Sequence, residues 1–245
     1  MSTIEALKIE AGRKRLGILV LVWLGMVAGA VAVGSQMPGA TAVDHRISVW
    51  FADRRSTALD KVTAVFSDLA STFVVVGIAL AMICIGAVLR RKGGIAVIVI
   101  AMVGEVTMFL TITLLVDRAR PDVPHLDPAP PTSSFPSGHV FATFVLWNSI
   151  AVLAVRQDWP SVVRRLTRVM AVAMPVAVGL SRIYRGMHHP SDVIAALALG
   201  ALWTCLVVLI VVPGEPISDS AERDRLGHRP RQSPPRALRP VDHRA

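Results

Sequence analysis

Three short polar clusters interrupt a chain that is otherwise largely apolar, and their side chains are of the types that bind and transfer phosphate. The first is Arg120-Pro121, the second is Pro136-Ser137-Gly138-His139, and the third contains Ser181, Arg182, His188 and Asp192. Together they supply fixed positive charge, backbone donors, a nucleophile and a proton donor. This set meets the needs of phosphoryl transfer without a metal ion.

Two arginines and a helix start are the expected phosphate-binding groups. Arg120 and Arg182 can each grip two phosphate oxygens through the guanidinium fork. Gly138 lets backbone N–H groups approach an anion at a helix N-terminus, and the Ser137 hydroxyl adds another donor. We therefore expect these four residues to hold the phosphoryl oxygens.

The two histidines divide the remaining chemistry. Asp192 follows His188 by four residues and can hold one ring nitrogen, which is the arrangement of a nucleophile with an orienting group. His139 is then free to act as a general acid. We predict that these three residues are catalytic, and that the site uses neither a metal nor a cofactor.

Each cluster taken alone has an ordinary structural explanation. Arg120 could be an arginine that reaches the lipid headgroups from a helix end, and Ser137 could cap the following helix. His188 and Asp192 could be a hydrogen-bonded pair near a helix start. The joint occurrence of the clusters at one surface is what these explanations account for poorly.

The elements that must position these clusters are membrane-spanning helices. Of the 245 residues, 53% are hydrophobic and only 18% are charged, and about 20 apolar residues in a helix span the hydrocarbon core of a bilayer. Six segments fit this pattern: 16–34, 72–89, 95–116, 140–155, 166–184 and 193–212. The sequence predicts an all-α, polytopic membrane protein with a bundle of six transmembrane helices.

The basic residues follow this topology, although the net charge of +9 could also suggest a nucleic-acid partner. They cluster around residues 13–15, 90–92 and 156–168 and in the tail, whereas segments 35–71 and 117–135 have near-balanced charge. The positive-inside rule then places both termini in the cytoplasm and all three polar clusters on the extracytoplasmic face. The expected partner is the lipid bilayer, and no nucleic acid is expected.

The sequence divides into three regions. Residues 1–15 are expected to be a cytoplasmic N-terminal segment, 16–212 the membrane domain, and 213–245 a disordered, proline-rich cytoplasmic tail. A signal peptide is the competing interpretation of the first span. Residues 44–61 are amphipathic, typical either of a helix in the membrane interface or of an ordinary loop helix. Cys84 and Cys205 both fall inside spans and are interpreted as core residues.

The motif P-S-G-H followed by S-R-x5-H-x3-D resembles the second and third motifs of the type 2 phosphatidic acid phosphatase family. The first motif of that family, K-x6-R-P, is matched here at Arg120-Pro121, but Thr113 stands at the lysine position. The resemblance covers residues 16–212 and implies a phosphohistidine mechanism. In this mechanism His188 attacks phosphorus and Asp192 stabilises the charged imidazole. His139 protonates the leaving oxygen and later activates water.

The missing lysine raises the question of a substitute cation. Arg118 lies two residues before Arg120, and its side chain could turn toward the phosphate if the helix unwinds before Pro121. We therefore include Arg118 among the expected phosphate-binding residues. The alternative is that Arg118 pairs with Asp117 or a lipid headgroup.

The expected function is hydrolysis of a lipid phosphate or an isoprenyl diphosphate. A non-catalytic lipid-binding or transport protein on the same fold is the alternative, and Thr113 is its only support. Vanadium-dependent haloperoxidases resemble the family in their motifs, but they are soluble. Glu105 lies about 22 Å deeper than Arg120 at 1.5 Å per helical residue and is expected to face the bundle interior.

Overall fold

A computed structural model describes residues 3–37, 39 and 41–211. Within this part the chain is all-α, with eight helices: α1 Thr3–Ser35, α2 Ala42–Ala52, α3 Thr57–Leu69, α4 Thr72–Val88, α5 Lys92–Leu115, α6 Gly138–Arg156, α7 Ser161–Tyr184 and α8 Pro190–Val211. The tail predicted to be disordered, 213–245, lies outside the described residues.

Five of these helices are long and apolar enough to cross a membrane: α1 from Glu10, and α5, α6, α7 and α8. The helices α3 and α4 meet at a bend of 45° and together form a sixth candidate span. The six-helix membrane bundle is therefore confirmed, with one difference in the second span. Alone, α4 has 17 residues, or about 26 Å at 1.5 Å per residue, so α3 extends it.

The outer surface of the bundle is apolar, as expected for helices that face lipid. Large side chains such as Leu21, Phe73, Leu114, Ile194 and Leu209 are exposed along the spans. In water such a surface would be a broad aggregation-prone patch, whereas in a bilayer it contacts acyl chains.

The helix α6 lies at the centre of the bundle, where it packs against α5, α7 and α8. Its buried face includes Val140, Phe141, Val145 and Leu146. The indole N–H of Trp203 in α8 donates to the carbonyl oxygen of Ala101 in α5 at 2.9 Å. Buried tryptophans need such a partner for the N–H, and this bond also ties two spans together.

The amphipathic segment predicted at 44–61 forms two elements, α2 and the start of α3, separated by a break at residues 53–56. Thr41 caps α2: its hydroxyl accepts from the Asp44 N–H at 3.0 Å while the Asp44 carboxylate accepts from the Thr41 N–H. Ser56 caps α3. These polar N-terminal signals explain why the helices begin where they do.

The ends of four spans meet at one end of the bundle, because consecutive helices run in opposite directions. At this end α5 and α7 finish, and α6 and α8 begin. Residues 116–137 connect α5 to α6 without regular structure. The tight turn after α7 uses Gly186 at φ +76°, a conformation that glycine adopts without strain.

Candidate active site

A polar cavity of about 530 Å³ lies at this end of the bundle. Its wall combines residues from the α3–α4 junction, the loop 116–137 and the ends of α6 and α7. Among the lining residues are Arg120, Gly138, His139, Arg182 and His188, which come from all three polar clusters of the sequence. The fold therefore brings the three clusters to one cavity.

His188 is held in a defined orientation by the backbone. Its Nδ1 lies 2.7 Å from the carbonyl oxygen of Ser134, and because a carbonyl only accepts, Nδ1 must carry the proton. In the neutral ring the lone pair is then on Nε2. Burial lowers the pKa of His188, although Asp192 opposes the shift. The neutral ring, which can act as a nucleophile, is thus favoured.

Asp192 supports His188 through charge more than through a hydrogen bond. The nearest carboxylate oxygen, Oδ2, lies 3.8 Å from His188 Nδ1, beyond hydrogen-bonding distance. Asp192 was expected to hold a ring nitrogen of His188, but the carbonyl oxygen of Ser134 is the group within hydrogen-bonding distance of Nδ1. A carboxylate at this distance still stabilises a positive charge on the ring.

Gly138 and His139 open helix α6 at the edge of the cavity. A Cβ atom on residue 138 would lie 2.8 Å from two ring carbons of Phe109, another lining residue. Only glycine allows this close approach of the helix start to the aromatic ring. The first backbone N–H groups of α6 have no partner in their own helix, as at every helix N-terminus.

The two arginines in the cavity are held by different parts of the chain. Arg120 donates from Nη1 to the carbonyl oxygen of Met187 at 2.7 Å. Arg182 donates from Nη1 to Ser67 Oγ at 2.6 Å and to Asp127 Oδ2 at 2.9 Å. The Nε of each arginine is buried and has no hydrogen-bond partner among the described residues. Both arginines line the cavity, where their positive charge can attract an anion.

Asp127 is a cavity residue that sequence reasoning missed. Its carboxylate pairs with Arg182 and also with Arg185, whose Nε donates to Oδ2 at 2.8 Å. Burial opposes ionisation of this carboxyl, but hydrogen bonds and charge from the two arginines outweigh it and lower the pKa. A lone aspartate in a proline-rich connection gives no sequence signal for this role.

Ser137 and Arg118 do not line the cavity, in contrast to the expectation that they bind phosphate. Ser137 is fully buried, and its hydroxyl has no hydrogen-bond partner in the described part of the chain. The Arg118 guanidinium is also buried and pairs with Asp44 and Asp192. Asp117, the partner named in the alternative interpretation, is not one of these. The helix does unwind before Pro121, but the side chain turns into the protein.

Thr113 and Glu105 both lie in α5 and away from the cavity lining. The Thr113 hydroxyl donates to the carbonyl oxygen of Phe109 at 2.7 Å, within its own helix. Glu105 is buried, 3% exposed, as expected for a polar residue facing the bundle interior. Among the described residues, no contact gives Thr113 or Glu105 a chemical role.

Among the side chains that the structure describes, no group of three or more His, Cys, Asp or Glu residues could hold a metal ion. Asp127, an acidic residue of the cavity lining, is paired with two arginines.

The chain matches one protein family and is similar to several known proteins. The family model described as the PAP2 superfamily matches residues 70–214, more than half of the chain. Phosphatidylglycerophosphatase B of Bacillus subtilis is 33% identical over 93 residues, covering 38% of this chain and 45% of that protein. Undecaprenyl-diphosphatase of Sulfolobus acidocaldarius is 33% identical over 128 residues, covering 51% and 58%.

Lipid A 1-phosphatase of Rhizobium johnstonii is 38% identical over 78 residues, covering 32% of this chain and 28% of that protein. The matches thus span from about a quarter to somewhat over half the length of these relatives. A crystal structure of a transmembrane PAP2 type phosphatidylglycerolphosphate phosphatase from Bacillus subtilis superposes with a TM-score of 0.50. It is 24% identical and covers 77% of this chain and 92% of that chain, which supports the shared fold.

Proposed function

The chain belongs to the PAP2 superfamily, and from that premise we propose that it is a membrane phosphatase acting on lipid phosphates or isoprenyl diphosphates. One observation carries the proposal. Arg120, His139, Arg182 and His188, which are far apart in sequence, line a single polar cavity at the end of an apolar bundle. A phosphate at the headgroup level of a bilayer would lie at the same depth as such a cavity.

The proposed reaction begins with the Nε2 lone pair of His188. This nitrogen attacks phosphorus and forms a P–N bond while the bond from phosphorus to the leaving oxygen breaks. His139, at the start of α6, donates a proton to that oxygen. The ring of His188 becomes positively charged, and the Asp192 carboxylate at 3.8 Å stabilises this charge.

In the second half of the reaction a water molecule attacks the same phosphorus atom. His139 accepts the proton of the water, the P–N bond breaks, and inorganic phosphate leaves with His188 neutral again. Arg120 and Arg182 hold the phosphoryl oxygens and stabilise the charge that develops on them in both transition states. The proposed mechanism requires no metal ion.

We place this reaction on the extracytoplasmic face. The antiparallel order of the spans puts the cavity at the end opposite to the α4–α5 and α6–α7 connections. Those two connections carry clustered basic residues, which are enriched on the cytoplasmic side of membrane proteins. The basic residues before the first span lie at the same end as these connections.

The experiment is a phosphate-release assay on the purified protein in detergent, with phosphatidic acid, phosphatidylglycerol phosphate and an isoprenyl diphosphate. We expect the wild type to release phosphate with and without EDTA, and His188→Ala to be inactive although it purifies as folded protein. Loss of activity in EDTA that one metal restores would contradict the metal-free mechanism. A wild type that binds these lipids without turnover would favour the non-catalytic alternative.

A further inference from the structure

A buried charge network lies behind His188 and joins three separate parts of the chain. It consists of Asp44 in α2, Arg118 in the loop after α5, and Asp192 in the first turn of α8, with exposed fractions of 2%, 1% and 0%. Buried ions are costly unless both their charge and their hydrogen-bonding sites are matched. A network of three such groups next to a catalytic site therefore calls for a functional explanation.

Arg118 bridges the two carboxylates. Its Nη1 donates to Asp192 Oδ1, and to Ser191 Oγ at 2.9 Å. Its Nη2 donates to Asp44 Oδ2 at 2.9 Å and to the carbonyl oxygen of Gly39 at 3.3 Å. Both ends of the guanidinium fork are thus used within the protein.

Asp44 fixes the other side of the bridge. Besides Arg118, its carboxylate accepts from the Ser191 N–H at 3.0 Å and from the Ser191 hydroxyl at 2.7 Å. Burial opposes ionisation of this carboxyl, but the hydrogen bonds from Ser191 and Thr41 lower its pKa to about 2. Asp44 therefore stays charged and ties α2 to the residue that directly precedes Asp192.

The two oxygens of Asp192 have different partners as a result. Arg118 holds Oδ1, while Oδ2 accepts from the His189 N–H at 2.8 Å. The same Oδ2 is the oxygen that lies 3.8 Å from His188 Nδ1. With one oxygen held on each side, the carboxylate cannot rotate away from the imidazole without breaking an ion pair.

We propose that Asp44 and Arg118 are positioning residues that hold Asp192 beside His188 while the imidazole becomes charged. This inference rests on the proposed function and extends the site to α2. That helix lies outside residues 70–214, the part matched by the superfamily model. Neither residue touches substrate; both act through Asp192.

The geometry separates this role from direct phosphate binding by Arg118. The Arg118 side chain has no exposed surface and is not among the residues that line the cavity. If Arg118 bound phosphate, its loss would weaken substrate binding. A positioning role predicts a loss in turnover with substrate binding unchanged, because Asp192 is needed only when the ring becomes charged.

The test compares Asp44→Asn, Arg118→Lys and Ser191→Ala with the wild type in detergent, using phosphatidic acid as substrate and inorganic phosphate as competitive inhibitor. Asp44→Asn removes a charge, Arg118→Lys removes the fork, and Ser191→Ala removes one hydroxyl and is the mildest change. Ser48→Ala is the matched control. It deletes a buried hydroxyl in α2 that has no hydrogen-bond partner within the described chain.

We expect kcat to fall by about 10- to 100-fold in Asp44→Asn and Arg118→Lys, the scale of losing support for an active-site group. KM and the inhibition constant of phosphate should stay within about twofold of the wild type, while Ser48→Ala matches it throughout. Ser191→Ala should show a smaller loss in kcat of the same kind. If the charge variants do not fold, the kcat of Ser191→Ala tests the proposal.

Two results would overturn the proposal. The first is a wild-type kcat in folded Asp44→Asn or, if that variant cannot be purified, in Ser191→Ala. The second is a rise in KM and in the phosphate inhibition constant in Arg118→Lys that exceeds the fall in kcat, which would assign Arg118 to phosphate. An inactive wild type would instead contradict the proposed function itself, so the two failures are distinguishable.

Discussion

The Nδ1 atom of His188 donates to the carbonyl oxygen of Ser134 at 2.7 Å, whereas the nearest oxygen of Asp192 lies 3.8 Å away. Two different groups therefore fix the tautomer of His188 and stabilise the positive charge on its ring. The backbone fixes which nitrogen carries the proton, and the carboxylate supplies the negative charge. Where one carboxylate performs both tasks for a catalytic histidine, its loss removes both the control of the tautomer and the stabilising charge.

This division predicts the effect of Asp192→Asn. Turnover should fall by about 10²-fold, the scale of losing one group that stabilises transition-state charge. It should not fall by the roughly 10⁴-fold seen when loss of the carboxylate leaves a histidine in the wrong tautomer. Steady-state kinetics of the purified variant check this. A loss equal to that in His188→Ala would mean that Ser134 does not fix the tautomer.

The pH dependence follows from the burial of His188. Burial lowers the pKa of this ring from its ordinary value of 6.5, and the nucleophile must be neutral. We expect kcat/KM to be maintained as the pH falls through 6.5 and to decline only below it. Because Asp192 raises the pKa of His188, Asp192→Asn should move this decline to still lower pH. A decline centred above 6.5 would contradict the prediction.

Gly138→Ala should damage the site through Phe109. The new Cβ would lie 2.8 Å from the aromatic ring, so the start of α6 must shift and take His139 with it. Displacing a catalytic group by about 1 Å can cost on the order of 10²-fold in rate. Adding Phe109→Leu makes room for the methyl group and should restore part of the loss. A double variant no better than Gly138→Ala would refute this steric explanation.

Asp127→Asn should destabilise the fold at the cavity. It breaks a largely buried pairing with Arg182 and Arg185, and loss of one partner of a buried ion pair costs about 3 kcal/mol or more. Denaturant unfolding in detergent measures this change. The matched control is Asp158→Asn, which breaks the Asp158–Arg164 pair; the Asp158 side chain is 90% exposed, so no measurable change is expected.

The sidedness proposal is tested by cysteine labelling. With Cys84 and Cys205 replaced by serine, Asp122→Cys in the α5–α6 loop should react with an impermeant maleimide added to intact cells. Asp158→Cys in the α6–α7 connection should react only after the membrane is opened. The opposite pattern would place the cavity on the cytoplasmic side.

Helix positions and most of the cavity could be predicted from sequence, because both depend on local patterns. Apolar runs of span length gave the helices, and the spacing of Arg120, His139, Arg182 and His188 relative to span ends placed them at one surface. Ser134 and Asp127 could not be found this way. They lie in the loop 116–137, which has no periodicity, and their roles depend on partners that are distant in the sequence.

The direction of the Arg118 side chain could not be predicted from the sequence either. The constraint imposed by a following proline favoured unwinding of the chain near residue 118, and α5 does end at Leu115. The direction of the side chain was set by Asp44, which is 74 positions away in sequence. Long-range charge pairing of this kind leaves no trace in local spacing.

The Ser134–His188 hydrogen bond also determines which ring nitrogen of His188 can be phosphorylated. A phosphorylated histidine exists as two isomers, with phosphorus on either the π nitrogen (Nδ1) or the τ nitrogen (Nε2). Because the π nitrogen of His188 is turned toward a main-chain oxygen, only the τ nitrogen can accept a phosphoryl group. The covalent intermediate of the proposed reaction is therefore τ-phosphohistidine, and the bundle is built to make one regioisomer.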